Sequence, residues 1–178
     1  MPTSAERLRD GASVVLRAVT YDDPVAQHLV ERVQLEYVQR YGGRDEAVVR
    51  PGEFEPPAGV FLVAEVDGEP AGSGAWRLLP TGEVEIKRVY VEPAHRRRGL
   101  ARVIMAALEE SAARAGHRAV VLNTGLEQPE ALVLYDRLGY RPVPGYGVYA
   151  CAPDAVFLGR DLGQRDGTED EKGNTWAS

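Results

Sequence analysis

The stretch Glu85–Ala101, EIKRVYVEPAHRRRGLA, decides the reading of this chain. An apolar run closes at Val91, and a turn follows at Glu92-Pro93-Ala94-His95. Three arginines come next, and Gly99 opens a strongly amphipathic helical sequence. A strand, a basic glycine-containing turn and a helix N-terminus together make an anion-binding device. Uncapped N–H groups of a first helical turn point at the anion, the macrodipole favours negative charge there, and arginine adds forked donors. Gly99 has no Cβ to keep an anion from the backbone. Other phosphate loops do not fit, because no G-x-x-x-x-G-K-S/T occurs and no G-x-G-x-x-G follows a strand.

Working outward, the chain has 178 residues, enough for one domain with its own core. Hydrophobic residues make up 44% and charged residues 27%, an ordinary balance for a folded globular chain. The formal net charge of −6 argues against a protein that coats nucleic acid. The triple arginine is then a local positive spot on an acidic molecule, which suits a small anionic ligand. The one cysteine, Cys151, excludes an internal disulfide and points to a cytosolic setting. His28, His95 and His117 are scattered, and no Cys/His cluster has zinc spacing, so no metal is expected. No apolar run approaches the roughly 20 residues that span a membrane, and the first eleven residues, MPTSAERLRDG, lack the apolar core of a signal peptide.

The hydrophobic pattern places the elements. Ser13–Thr20 reads as a strand. Asp22 or Asp23 caps a helix with Pro24 in its first turn, and Ala26, Leu29, Val30, Val33, Tyr37 and Tyr41 form its apolar face until Gly42-Gly43 stops it. Residues 42–59, rich in Gly, Pro and charge, read as a long loop with at most a short helix, a length that is often functional. Val60–Val66 and Ala71–Leu79 are strands joined by an Asp67-Gly68 hairpin signal, and Glu83–Val91 follows antiparallel. In the helix opened by Gly99, Leu100, Val103, Ile104, Ala107, Leu108 and Ser111 share a face, with Gly116 as C-cap. Ala119–Asn123 reads as a buried strand, Pro129 begins a helix that Gly139 ends, and 141–150 and 155–160 read as closing strands. Residues 1–12 read as an N-terminal extension, 13–161 as the domain, and 162–178 as a polar, mobile tail.

The spacing Arg96-x-x-Gly99-x-Ala101 resembles the acetyl-CoA pyrophosphate loop of the GNAT superfamily of N-acetyltransferases, written R/Q-x-x-G-x-G/A. A second segment, Gln128–Tyr140, QPEALVLYDRLGY, is similar to the family pattern N-x-x-A-x-x-x-Y-x-x-x-G-F/Y. Ala131, Tyr135, Gly139 and Tyr140 match it, and Gln128 stands where the family carries Asn. The resemblance implies an α/β fold: a mixed, mostly antiparallel sheet of about six to seven strands with helices on both faces. It also implies binding of acetyl-CoA. Arg96, Arg97, Arg98, Gly99, Leu100, Ala101 and Arg102 would hold its pyrophosphate. Strands 83–91 and 119–123 would splay, so that backbone groups of Val89, Tyr90 and Val91 pair with the pantetheine amides beside Gln128.

The same resemblance implies the chemistry. The tyrosine at the position of Tyr135 points to the thioester sulfur and serves as general acid. Some family members carry a basic carboxylate where Glu85 stands, eleven residues before Arg96. A neutral amine is needed for attack, so a proton acceptor is needed near pH 7. Glu83 shares a strand face with Glu85 and is expected to face solvent. The acceptor is expected between the 42–59 loop, the end of the preceding strand and PVPGYGVY at 142–149. Arg88, Asn123 and Thr124 would orient it, and Tyr146 and Tyr149 would pack on it. The expectation is a cytoplasmic N-acetyltransferase that moves an acetyl group from acetyl-CoA to a primary amine of a small molecule by direct attack in a ternary complex. It would act without nucleic acid or membrane. The alternatives are acetylation of a protein N-terminus or lysine, and a non-catalytic acyl-CoA-sensing module. A homodimer through the last strands follows only from fold analogy.

Overall fold

The hairpin and cap signals are realised in the structure, a computed structural model that describes residues 5–163. Asp67 and Gly68 take φ of 51° and 88°, the left-handed pair that a two-residue hairpin needs, and join β3 (Gly59–Val66) to β4 (Glu69–Leu78). The Asp23 carboxylate accepts hydrogen bonds from the amides of Val25 and Ala26 and starts α1 (Pro24–Tyr41). The Gly42 amide closes α1 by donating to the Val38 carbonyl. The remaining elements are β1 (Ala5–Arg7), β2 (Ser13–Val19), β5 (Val84–Val91), α2 (Leu100–Arg114), β6 (Ala119–Gly125), α3 (Pro129–Arg137), β7 (Arg141–Pro142) and β8 (Ala155–Asp161).

The eight strands among the described residues form one sheet in the order β1-β2-β3-β4-β5-β6-β8-β7. Every neighbouring pair is antiparallel except β5–β6, which is parallel. On one face α1 buries Ala26, Leu29, Val30 and Val33 against Phe54, Phe61, Val63, Ala75 and Tyr90. On the other face α2 buries Leu100, Ile104, Met105, Leu108 and Ala112 against Leu62, Trp76, Ile86 and Leu122, and Tyr135 of α3 joins that cluster. The helix can approach because β4 is bare beneath it. A Cβ on Gly74 would lie 2.6 Å from Ile104 Cγ2 and 2.8 Å from Leu108 Cδ1. Gly74→Val is therefore expected to destabilise by about 1–3 kcal/mol through overpacking, read as a lowered midpoint in urea.

Two features of β5 place the site. Its parallel pairing with β6 covers only Val84–Ile86 against Val120–Leu122, after which the strands part. Just there β5 carries a bulge. Ser73 faces Tyr90 and Ala75 faces Lys87, so Arg88 and Val89 together oppose Gly74. Arg88 takes a φ of 58°, and its carbonyl accepts from Ser73 Oγ at 3.0 Å.

The sheet has eight strands where six to seven were expected, because Ala5–Arg7 pairs with β2 and a short β7 forms the far edge. The stretch 141–150 is not one strand. Only Arg141–Pro142 pairs, and a 3-10 turn follows at Gly147–Tyr149. Pro142 and Pro144 lack the N–H that a strand ladder requires. The expected long loop after α1 carries one 3-10 turn, Pro51–Phe54. Of the expected polar tail, residues 164–178 lie outside the described residues.

Candidate active site

The basic turn leads into α2 through Gly99, which is the N-cap with φ 92° and has no side chain to cap the first turn. Only glycine adopts that φ at little cost. A Cβ there would meet nothing nearer than the Arg9 side chain at 3.9 Å, so the space before the helix end is open. The three arginines divide. Arg96 turns back: its Nε donates to the Val91 carbonyl at 2.9 Å, a terminal nitrogen reaches Glu36 at 3.0 Å, and its guanidinium lies 5.7 Å from the Tyr90 ring centroid. Arg98 pairs with Asp10 at 2.5 Å and contacts His95 Nδ1 at 2.9 Å. Arg97 and Arg102 are exposed and form no ion pair among the described residues. Arg9, beside Gly99, is a cation the sequence did not single out. It sits in the β1–β2 turn, and only the sheet brings it to the loop. Leu100 is buried and Ala101 half-buried, so they present backbone there.

A cavity of ≈ 520 Å³ opens where β5 and β6 part. It is lined by Glu85, Arg88 and Val89 of β5, and by Asn123, Thr124 and Gln128 of β6 and the turn after it. Tyr135 of α3 and Tyr146 and Tyr149 of the 3-10 segment complete that lining. Nine residues singled out from sequence thus share one cavity. Tyr90, Val91 and Arg96–Arg102 do not line it. The Tyr90 ring lies in the α1-side core, and the Val91 carbonyl is taken by Arg96.

Tyr135 is buried, with its ring 5.6 Å from that of Tyr140, and its hydroxyl makes no hydrogen bond among the described residues. Burial, and secondarily Tyr37, push its ionisation well above the ordinary phenol range, so it keeps its proton. Gln128 Nε2 donates to the Tyr41 hydroxyl at 3.1 Å. Glu85 is buried on β5. One carboxylate oxygen accepts from Arg77 Nε at 2.9 Å and the other lies 3.9 Å from Lys87 Nζ. Arg77 also donates to Glu53 at 2.8 Å and to the Val48 carbonyl at 2.7 Å, which fastens the 48–54 segment over the cavity. Burial and the adjacent Glu85 charge raise the Tyr146 phenol far above its usual range, and its buried hydroxyl finds no aligned partner. Glu83 lies exposed in the turn before β5 and accepts from Thr81 Oγ1.

Sequence reasoning missed Asp45. It accepts from Arg88 at 2.8 Å, from Tyr149 Oη at 3.0 Å and from the Ala47 amide at 2.9 Å, and it lies 3.2 Å from Lys87 Nζ. Burial alone would raise its carboxyl, but Lys87 and Arg88 outweigh it and hold Asp45 below the usual carboxylate range. The only signal was the length of the 42–59 loop.

The sheet parts after the first pairs of β5 and β6 and leaves a tyrosine-lined cavity, and an uncapped, arginine-flanked helix end follows β5, a layout that suits an acyl-CoA-dependent acyltransferase. The chain belongs to the acetyltransferase (GNAT) family, whose model matches residues 12–140. It is 32% identical over 103 residues to the IAA acetyltransferase of Azospirillum brasilense, covering 57% of this chain and 67% of that protein. Among solved structures, a Klebsiella pneumoniae chain described as an acyl-CoA N-acyltransferase superposes with a TM-score of 0.71 at 27% identity, over 84% of this chain and 97% of its own. A GNAT family acetyltransferase from Elizabethkingia anophelis, which holds acetyl-CoA, shares the fold at a TM-score of 0.61 and 16% identity, over 83% and 97% of the chains. Acetyl-CoA is the co-substrate of the family.

Proposed function

We propose that this acetyltransferase acylates a primary amine of a small molecule, with acetyl-CoA and amine bound together. The observation that carries the reading is that Glu85 and Tyr135, whose hydroxyl has no hydrogen bond among the described residues, line one cavity where β5 and β6 part. Acetyl-CoA supplies a thioester. Its pyrophosphate would be held by the first-turn amides after Gly99 with Arg97, Arg102 and Arg9. Arg96 and Arg98, already paired, would shape the loop around it. Val89 and Tyr90 backbone groups and Gln128 would line the pantetheine path, and Val91 would contribute only if Arg96 releases its carbonyl.

The remaining work falls to side chains. Glu85, directly or through a water it orients, accepts the ammonium proton, and Tyr135 returns a proton to the departing sulfur. Asn123, Thr124, Tyr146 and Tyr149 surround the acceptor. The 48–54 segment that Arg77 fastens over the cavity narrows its mouth, which favours a small amine over a protein N-terminus or lysine. Among the described residues no helix is long and apolar enough to cross a membrane, and the exposed free Cys151 fits a reducing cytosol.

Thiol release from acetyl-CoA with a panel of primary amines tests the reading, since bound but unconsumed acetyl-CoA would favour a sensor. The pH dependence of Glu85→Gln tests the base. Its rate defect should shrink as pH rises and free amine becomes abundant without help. A defect that is independent of pH would make Glu85 a positioning group.

A further inference from the structure

The cavity is electrically divided, and one end holds a buried donor with nothing to bind. In a regular strand, neighbours such as Lys87 and Arg88 point to opposite faces. The bulge, with Arg88 at φ 58°, turns both to the same side, where both reach Oδ2 of Asp45. A non-glycine residue adopts that conformation at a cost, and such costs gather at functional sites. Two cations here share one carboxylate. At the other end Arg77 is shared by two carboxylates, Glu85 and Glu53, and Lys87 Nζ stands between the ends, 3.2 Å from Asp45 and 3.9 Å from Glu85. The Arg88 end is thus the more positive and the Glu85–Glu53 end the more negative.

The Arg88 side chain is 4% exposed and its Nε has no hydrogen-bond partner. Asp45 cannot supply one. Its Oδ1 already serves Tyr149 and the Ala47 amide, and its Oδ2 serves Lys87 and Arg88. A buried charged donor without a partner is costly and rare in native structures. Tyr146 Oη, also buried without a partner, lies beside Glu85 at the negative end, where its oxygen can accept from an ammonium.

We infer that the acceptor is a zwitterionic amine, a primary amine that carries a carboxylate. The carboxylate accepts from Arg88 Nε and the ammonium lies toward Glu85 and Tyr146. The inference rests on the amine-acetylating reading above. In the reaction the amine nitrogen forms the bond to the acetyl carbon and the carbon–sulfur bond breaks. The ammonium gives one proton to Glu85 before attack; the second nitrogen proton, lost as the tetrahedral intermediate collapses, restores Tyr135 after its phenol has protonated the sulfur, and the carboxylate is unchanged.

The test uses three matched amines with the full chain: a free amino acid, its carboxamide and its decarboxylated amine. The expected kcat/KM for the acid exceeds both others by about 10–10²-fold, the worth of one hydrogen bond to a charged group. In Arg88→Lys, which keeps the charge but loses the Nε donor, that ratio should fall about tenfold or more, with CoA titration confirming a folded protein. If the variant fails to fold, the wild-type ratio alone decides. Equal turnover of all three amines would overturn the carboxylate inference and leave amine acetylation standing. A preference for the acid that Arg88→Lys preserves would overturn the assignment to Arg88. No turnover of any amine by a protein that binds CoA would overturn the acetylation reading itself.

Discussion

Gly99→Glu is expected to raise the Kd for CoA by about 10²-fold or more, because it places a carboxylate where a pyrophosphate must meet the helix N-terminus. The space before Gly99 is open, so the new side chain fits sterically and its charge remains in the anion path. A smaller contribution comes from the backbone, since φ 92° suits glycine alone and a Cβ disfavours it. Gly99→Ala separates the two effects, because it bears the conformational cost without the charge and should weaken CoA only several-fold. Both substitutions sit at a half-buried turn with open space at the Cβ position, away from the buried face of α2, so the melting temperature should stay within a few degrees of wild type. Calorimetric titration with CoA reads the outcome. A folded Gly99→Glu protein with wild-type affinity would remove the anion site from α2.

The parts of the fold that rest on local chemistry were legible in the sequence. Asp67-Gly68 favours a tight turn, Asp22 or Asp23 ahead of Pro24 favours a helix start, which the structure gives to Asp23, and the apolar periodicity after Gly99 leaves one face to bury. The segment 141–150 misled because its β-branched and aromatic residues read as a strand while Pro142 and Pro144 removed the donors a strand needs.

The geometry of the candidate site was legible where a residue type and a spacing coincide, as in the placement of Gly99 at a helix start and of Tyr135 in the cavity wall. It was not legible where a contact depends on register. No local signal shows that Arg88 and Val89 oppose Gly74, and without that bulge Lys87 and Arg88 would point apart. Asp45 lies in a loop whose path follows its bonds to Arg88 and Tyr149, residues 43 and 104 positions away. Arg9 meets Gly99 only because β1 pairs with β2 at the sheet edge. The arginine triplet suggested three phosphate donors. Charge alone could not reveal that Arg96 and Arg98 are committed to Glu36 and Asp10.

Tyr135→Phe is expected to lower kcat by about 10²-fold, the lower end of what a positioned general acid contributes, because a thiolate is already a competent leaving group. The ring stays, so its packing on Tyr140 and the affinity for CoA should change little. The loss should appear in kcat more than in KM, because the proton is needed mainly in the transition state. The pH dependence has a definite sign. Burial raises the Tyr135 phenol above its ordinary value, so it is protonated throughout the neutral range and adds no limb to the rate profile there. Any fall in rate on the acid side must then come from the amine or its base, and it should persist in Tyr135→Phe.

Tyr37 is the competing proton source. It lines the same cavity, and burial pushes its phenol up to about 12. Tyr37→Phe should therefore retain most of the rate if Tyr135 is the acid. The reverse result, a large kcat loss in Tyr37→Phe and none in Tyr135→Phe, would move the role to α1. Full kcat in both variants would leave the sulfur to be protonated by water.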